Sequence, residues 1–437
     1  MQVRVGVVLT LMFATAKSRL IKYFFFGNSI TNDGYLRLAY LLGRFLVFLP
    51  LSLCATLVLG VYSLFRPVKI FMLRCERSKI SFIVEDLEVA LRIEAHKEKT
   101  TGIRRPFIFA VLDCESPNRA FTSMYGRVVP FLDDDRPFAR GVIRYTLPIF
   151  RLNRQYLKCW QSEDQMEVWK NQNPSISFTP KDKKIGKDLE DKFRTNTVNE
   201  FVCIGLPERV YYETKFAQEH RPPINQDLFT MMPSWETYLP STSKLTEAGL
   251  DVLRMGQFVE QPISSQNYNE VIDYASLYRS EFGDVWLLGN CKFAISGNGT
   301  GFYWVSKSMN RPVVITDSPS PCKTSYGKND IHIPLLAWSR ENRMLKPFSW
   351  LISQGEAWAT NRELIEGDIE IVKNTAEEIT EVVLEMNQRI DGTWVETDED
   401  IELQERFKKL RQHQPPWKVQ QSVRIGAAFL RRYKHLL

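Results

Sequence analysis

Two hydrophobic rhythms divide the chain. Phe45–Phe65, FLVFLPLSLCATLVLGVYSLF, runs 21 residues without a charge. A helix of that length, at about 1.5 Å per residue, matches the hydrocarbon thickness of a bilayer, and Pro50 near one end is tolerated there. Val5–Ala16 is a shorter apolar stretch of 12 residues. A second hydrophobic segment soon follows it, so it reads as an embedded or interfacial helix rather than a signal peptide. Leu20–Gly27, LIKYFFFG, also reads as interfacial. A monotopic embedded hairpin and a buried core helix are the competing readings of Phe45–Phe65.

Beyond Lys79 short apolar runs alternate with amphipathic stretches. SFIVEDLEVALRIEAHKEK repeats apolar residues near the helical period, while Pro106–Asp113 and Gly126–Asp135 are short apolar runs bounded by polar turns, which suits buried strands. Residues 161–199 are polar and predict no strand, as in a connecting segment. Then come a strand at Asn199–Pro207, a helix at Trp235–Gly249 with Gly249 as its C-cap, and a strand at Leu250–Gly256. EFGDVWLLGNC is helical, CKFAISG a strand, TGFYWVSKSM a helix and RPVVITD a strand. Alternation at roughly 10–15 residues predicts a doubly wound parallel sheet, whose ligands bind beyond the carboxyl ends of the strands. That rule points to the loops after Met255, Ile295 and Thr316. Thr375–Leu437 reads as helical, packed on the body or lying on a membrane.

Composition sharpens this. The 437 residues suit two or three domains at about 150 residues each. With 44% hydrophobic and 25% charged residues the chain can bury a core. Its formal charge of +6 is uneven: residues 1–80 hold eleven Lys/Arg against two Asp/Glu, and the rest is net negative. A front-loaded positive charge disfavours a nucleic-acid partner, which needs a basic stripe over a folded surface, and suits anionic lipid. Arg66, Lys69, Arg74, Arg77 and Lys79 after the apolar run outweigh Arg44 before it. If Phe45–Phe65 spans, the positive-inside rule places the large domain at the cytoplasmic face of the cell membrane. The seven cysteines are scattered without a C-x-x-C, and the five histidines show no ligand spacing, so reduced thiols are expected and neither metal nor cofactor is implied.

Ser296-Gly297-Asn298-Gly299-Thr300-Gly301 is the most suggestive chemical motif. Its glycines let backbone approach a phosphate, and a following helix would offer amides and a favourable dipole. It is neither G-x-x-x-x-G-K-[ST] nor a clean G-x-G-x-x-G, so a phosphate cradle and a plain strand-to-helix turn both stay open. Arg254, at a strand end, either neutralises a diphosphate or faces solvent. Asp284 either caps its helix or faces a cleft. Asp133-Asp134-Asp135 is an acidic surface turn or a metal-binding triplet.

YLPSTSKLTEAGLDVLRMG and VIDYASLYRSEFGDVWLLGNCKFAISGNGTGFYWVSKSMNRPVVITD, with RSKISFIVEDLEVALR and NRAFTSMYGRVVPFLDD further back, resemble a family of bacterial surface-carbohydrate glycosyltransferases over roughly residues 75–345. The resemblance implies an α/β, GT-B-like architecture of two Rossmann-like domains facing a cleft, behind a membrane-associated helical segment. With the hydropathy pattern it divides the chain into residues 1–74, membrane-associated helices; 75–195, Rossmann-like acceptor domain and linker; 196–374, Rossmann-like nucleotide-sugar domain; and 375–437, C-terminal helices. It implies sugar transfer from a nucleotide-diphosphate sugar to a surface-polysaccharide or lipid-linked acceptor, without a metal. Arg254, Gly256, Asp273, Asp284, Ser296 and Gly301 match the family's donor half, and Tyr274 joins Asp273 and Asp284 along the cleft.

Three positions depart from the family. Ile80-Ser81-Phe82-Ile83 lacks its I-G-H-L histidine, Leu206-Pro207-Glu208-Arg209 displaces the arginine of an Arg-Asp pair, and Thr230-Met231-Met232 replaces Tyr-Arg-Asn. A general base and two phosphate-holding cations are therefore missing from their places, leaving Glu208 and Glu85 as substitute bases. The alternative expectation is a catalytically inactive GT-B-like protein that binds or scaffolds in glycan assembly at the membrane.

Overall fold

The computed structural model describes residues 32–73, 80–112, 115–133, 171–194, 200–218, 232–260, 271–298, 300–319, 329–355, 357–411 and 424–437, with isolated residues between them. These fall into two compact units, one of residues 1–78, 94–117 and 125–159, the other of residues 79–93, 118–124 and 160–437.

In the first unit, three parallel strands, β1 (Val68–Leu73), β2 (Phe107–Leu112) and β3 (Phe131–Leu132), lie in that order. The helix Asn32–Ser63 packs beside them. Leu59 and Ile70 close over a small core of Val111, Leu132 and Ile143. Ser52 Oγ donates to the Val142 carbonyl at 2.8 Å, and the Tyr62 ring meets Phe107 edge-on at 5.6 Å. Among the described residues no helix is long and apolar enough to cross a membrane, so the spanning reading of Phe45–Phe65 finds no support. One side of this helix packs on protein, through Ser52 and Leu59.

The second unit is built on a seven-stranded, all-parallel sheet. Its strands are β4 (Phe201–Gly205), β5 (Asp251–Met255), β6 (Val271–Ile272), β7 (Phe293–Gly297), β8 (Val313–Ser318), β9 (Ile331–Pro334) and β13 (Arg424–Ile425). Their order is β13-β9-β8-β7-β4-β5-β6. The chain starts at β4, winds outward through β5 and β6, then returns to β7 on the other side of β4 and winds the opposite way. That is the doubly wound arrangement that the strand–helix alternation predicts. Every residue of β4, β7 and β8 is buried, as expected for strands covered on both faces. Burying a side chain such as Ile204, Ile295 or Val314 contributes about 1.5–3 kcal/mol.

A small antiparallel sheet, β11 (Met344–Leu345), β10 (Leu336–Ser339) and β12 (Ile369–Val372), is appended. Three helices at the carboxyl terminus close the core. Ala376–Asp391 has a capping box of Thr375 and Glu378 and ends at Gly392 with φ 71°, and it buries Ile379, Val382, Val383 and Met386. Asp398–Arg411 buries Leu403 and Phe407, and Ala427–Arg432 buries Phe429 and Leu430. The tail expected to be wholly helical also supplies the sheet's edge strand, β13.

The predicted helix over residues 81–99 forms, but with a π-helical segment, Ile83–Glu88, inside it. Glu88 and Arg92 pair within it at 2.7 Å, both buried, and Arg92 also donates to the carbonyls of Trp169 and Ser308 and to Asn310 Oδ1. The connecting segment expected at 161–199 contains the helix Pro180–Glu190, and its described part has no strand.

Candidate functional site

The sheet reverses its winding between β4 and β7, and their carboxyl ends form the two lips of the crevice where such sheets hold ligands. β4 ends at Gly205 and β7 at Gly297. Both positions require glycine. A Cβ on Gly205 would come within 2.1 Å of Phe302 Cε1, and one on Gly297 would meet Leu206 Cδ2 and Pro233 Cγ at 2.8 Å and Tyr238 Oη at 2.9 Å.

The motif Ser296–Gly301 turns directly over this reversal. Asn298 adopts φ 50°, the left-handed conformation that asparagine tolerates better than most residues. Its amide donates to the Thr316 carbonyl at 2.8 Å, so it continues the β7–β8 ladder. Ser296 Oγ and Thr300 Oγ1 share a hydrogen bond of 2.8 Å, and Thr300 Oγ1 reaches the Gly205 carbonyl at 3.4 Å, tying the turn to the opposite lip. Gly301 is exposed, with Ile80 Cγ2 at 3.8 Å from where a Cβ would stand. Gly299 lies outside the described residues. The expected helix follows, but it is the six-residue Tyr303–Ser308, with Phe302 as an N-cap that offers no side-chain bond. The aligned peptides of so short a helix add little dipole, so the loop's own backbone must supply most of any anion affinity.

A second cluster gathers at the ends of β4, β5 and β6. Arg254 is 2% exposed; its Nη2 bonds Glu208 Oε1 at 2.6 Å and its Nη1 bonds Asp273 Oδ2 at 3.3 Å. Its guanidinium also lies over the Trp235 ring at 5.5 Å. Glu208 accepts from the Glu260 amide at 2.7 Å and from Trp235 Nε1 at 3.4 Å, and Asp273 from the amides of Ile263 and Ser276 at 2.8 and 3.3 Å. Gly256 follows β5 where a Cβ would stand 2.7 Å from Val259 Cγ1. The cation predicted for a diphosphate and the carboxylate predicted as a base thus bind each other. With Asp273 included, this trio carries one net negative charge.

Tyr274 and Asp284 meet beside it. Tyr274 Oη donates to Asp284 Oδ1 at 3.2 Å, and Arg279 Nη2 bonds Asp284 Oδ2 at 2.8 Å. Burial lifts the Asp284 carboxyl to about 6 against the pull of Arg279. Burial and then the neighbouring Asp284 push the Tyr274 phenol upward, so it stays a neutral donor. Asp284 sits in the first turn of the helix Glu281–Asn290, which Ser280 caps through the Gly283 amide.

Glu85, the other candidate base, is half-buried in the π-helical segment. Its charge acts on buried Lys307, whose ammonium is lowered by burial despite its 2.7 Å pair with Asp330. Ser81 is buried, and Met231 lies outside the described residues. Asp133 and Asp135 close a local turn through the Asp135 amide at 3.2 Å, while Asp134 lies outside the described residues. Among the described residues no group of three His, Cys, Asp or Glu is placed to hold a metal ion.

The loop expected after Thr316 begins with residues at the end of β8 that the sequence does not single out as a site. Asp317 is buried at φ 50°, its carboxyl pushed up to about 6 by burial. It exchanges two hydrogen bonds with Asn374: the Asp317 amide donates to Asn374 Oδ1 at 2.6 Å, and the Asn374 amide donates to Asp317 Oδ1 at 2.8 Å. Tyr238 Oη bonds Thr316 Oγ1 and stands under Gly297. The strand-end rule points to Asp317, since it directly follows the apolar run PVVIT; nothing in the sequence links it to Asn374.

No family model and no curated protein matches the chain. Among solved structures it is similar to a glycosyl transferase family 9 protein from Veillonella parvula DSM 2008, at 10% identity over 61% of this chain and 86% of that one, with a TM-score of 0.34. It is also similar to the E. coli heptosyltransferase WaaC with ADP, at 12% identity over 68% of this chain and 97% of that one, with a TM-score of 0.29. At these scores the likeness carries no weight, and a function has to be argued from the chain's own residues.

Proposed function

We propose that this protein is a glycosyltransferase whose second unit binds the diphosphate of a nucleotide sugar at the reversal between β4 and β7, for transfer to a surface-polysaccharide or lipid-linked acceptor. One observation carries the reading: the glycine-containing turn that resembles the family's donor half falls on the strand-order reversal, with Gly205 and Gly297 on its two lips. The exposed Gly301 of that turn, where a Cβ would meet nothing nearer than Ile80 Cγ2 at 3.8 Å, leaves backbone open to phosphate oxygens. Backbone amides of the turn, which the Thr300 hydroxyl ties to Ser296 and the Gly205 carbonyl, would stabilise the leaving diphosphate. Calorimetric titration with UDP and GDP tests the binding. A Kd that weakens roughly tenfold in Thr300→Val supports the site, and heat-silent titrations of both nucleotides would sink the reading.

A second reading, a protein that binds nucleotide sugar without turnover, is favoured by the Glu208–Arg254–Asp273 cluster, which ties up a candidate base and a candidate phosphate cation together. Acceptor-dependent release of free nucleotide from a nucleotide-sugar donor separates the two: sustained release excludes it, and tight binding without release supports it.

A further inference from the structure

The helix Asn32–Ser63 and the residues just after it have one packed side and one bare side. Leu46, Leu53, Leu57, Val58, Val61, Leu64 and Phe65 are all exposed, Leu57 by 69%, Val61 by 60% and Phe65 by 85%. Within the helix Leu46, Leu53, Leu57 and Val61 recur at four- and seven-residue steps along one face, Val58 lies at its flank, and Leu64 and Phe65 follow the helix end. On the other side lie Ser52, bonded to the Val142 carbonyl, and Leu59, packed toward Val111, Leu132 and Ile143. A contiguous apolar strip of this kind marks an interaction surface.

The strip ends beside a basic rim. Arg66 Nε donates to the Arg105 carbonyl at 2.9 Å and Nη2 to the Pro106 carbonyl at 3.4 Å, which holds the 103–105 loop against the strip's end. Ile103, Arg104 and Arg105 of that loop are exposed, Ile103 by 71%. Apolar side chains flanked by arginines are the composition of an interfacial helix on anionic lipid.

We propose that this face lies flat in the headgroup–acyl boundary of an anionic bilayer, the helix axis parallel to the membrane. A spanning orientation is excluded by the packed side: β1–β3 is an open three-stranded sheet, and hydrocarbon does not accommodate open sheet edges. A second copy of the chain is a poorer occupant, because it would bring the same arginines toward one another, whereas anionic headgroups neutralise them. The inference stands independently of the nucleotide site.

The test uses the full chain with vesicles of phosphatidylcholine, alone or mixed with phosphatidylglycerol. Leu57→Glu/Val61→Glu places charge only on exposed positions, so its thermal melt should match the parent's. Binding to the mixed vesicles should exceed binding to the neutral ones, fall with added salt, and drop roughly tenfold or more in the double variant. A fluorescent label on L46C, L57C or L64C, with Cys54→Ser as the labelling blank, should report one shared shallow depth by lipid quenching. Three results would overturn the proposal. One is undiminished vesicle binding by the double variant. Another is a label at position 57 far deeper than those at 46 and 64, as in a spanning helix. The third is a double variant that changes only the oligomeric state in sedimentation, which would make the face a contact between copies.

Discussion

Arg254 shows how a single side chain can look like a ligand in a sequence and act as a clamp in a fold. It sits at a strand end where a diphosphate would welcome a cation, yet Glu208 and Asp273 already hold it from either side. Replacing it with alanine leaves two largely buried carboxylates without their cation. Breaking such a cluster costs about 3–5 kcal/mol, so Arg254→Ala should lower the denaturant midpoint by a corresponding amount. Unchanged stability with weakened nucleotide affinity would instead make Arg254 a direct ligand. Asp317 invites a pH measurement. Its carboxyl is raised to about 6, so the folded state holds its proton more tightly than the unfolded chain does. Its contribution is therefore fully present below the unfolded value and is lost as pH rises through 6. A shift of about two units is worth about 3 kcal/mol. Asparagine keeps the left-handed backbone and mimics the protonated group, so Asp317→Asn should be more stable than the parent at pH 7 and nearly equal to it at pH 4. His332, which burial and Arg411 depress to about 3, titrates in both proteins and cancels in that comparison. Equal gaps at both pH values would show that Asp317 is not proton-linked.

At the level of elements, the reversal between β4 and β7 depends on an unusually close approach, because Phe302 lies where a side chain on Gly205 would be. Gly205→Ala should displace the 300–302 turn, cost about 1–3 kcal/mol by overpacking, and weaken nucleotide binding if the turn is the cradle. Adding Phe302→Leu should recover part of that stability, a coupling a double-mutant cycle in denaturant would resolve; strictly additive losses would mean the two residues do not meet. The strands that matter most here were legible because β4, β7 and β8 carry apolar runs bounded by glycine or polar turns, and β5 carries Val252, Leu253 and Met255 just before Gly256. β10, β11 and β12 were not, since two to four residues carry too little periodicity to separate them from loops. Nor was β13, two residues that gain their strand character only from pairing with β9. The π-helical turn at Ile83–Glu88 escaped for a related reason: it is fixed by tertiary contacts such as Arg92 with Ser308 and Asn310, more than two hundred residues away, and local spacing cannot report those. Glycines at strand ends were visible as a motif, while their role at a winding reversal became visible only once the strand order was known.

Over the whole molecule, composition and contact structure divide the chain in the same sense. Residues 1–80 carry a positive excess greater than that of the whole chain, together with the bare apolar face, while all ten tryptophans lie at position 160 or later, within the second unit. Two compact units with separate cores need not unfold together, so a single two-state transition is not the expected behaviour. Tryptophan emission therefore reports the second unit alone, whereas far-ultraviolet circular dichroism reports both. A ligand that binds only the folded second unit stabilises it by mass action, about 2.7 kcal/mol at a concentration a hundred times its Kd. If the diphosphate site is at the β4–β7 reversal, UDP or GDP should raise the tryptophan-detected melting temperature. Phosphatidylglycerol vesicles should act mainly on the part of the dichroism transition that tryptophan does not see. Nucleotide that moved only the tryptophan-silent transition would place its site in the first unit and remove the argument from strand order, while leaving the lipid face untouched.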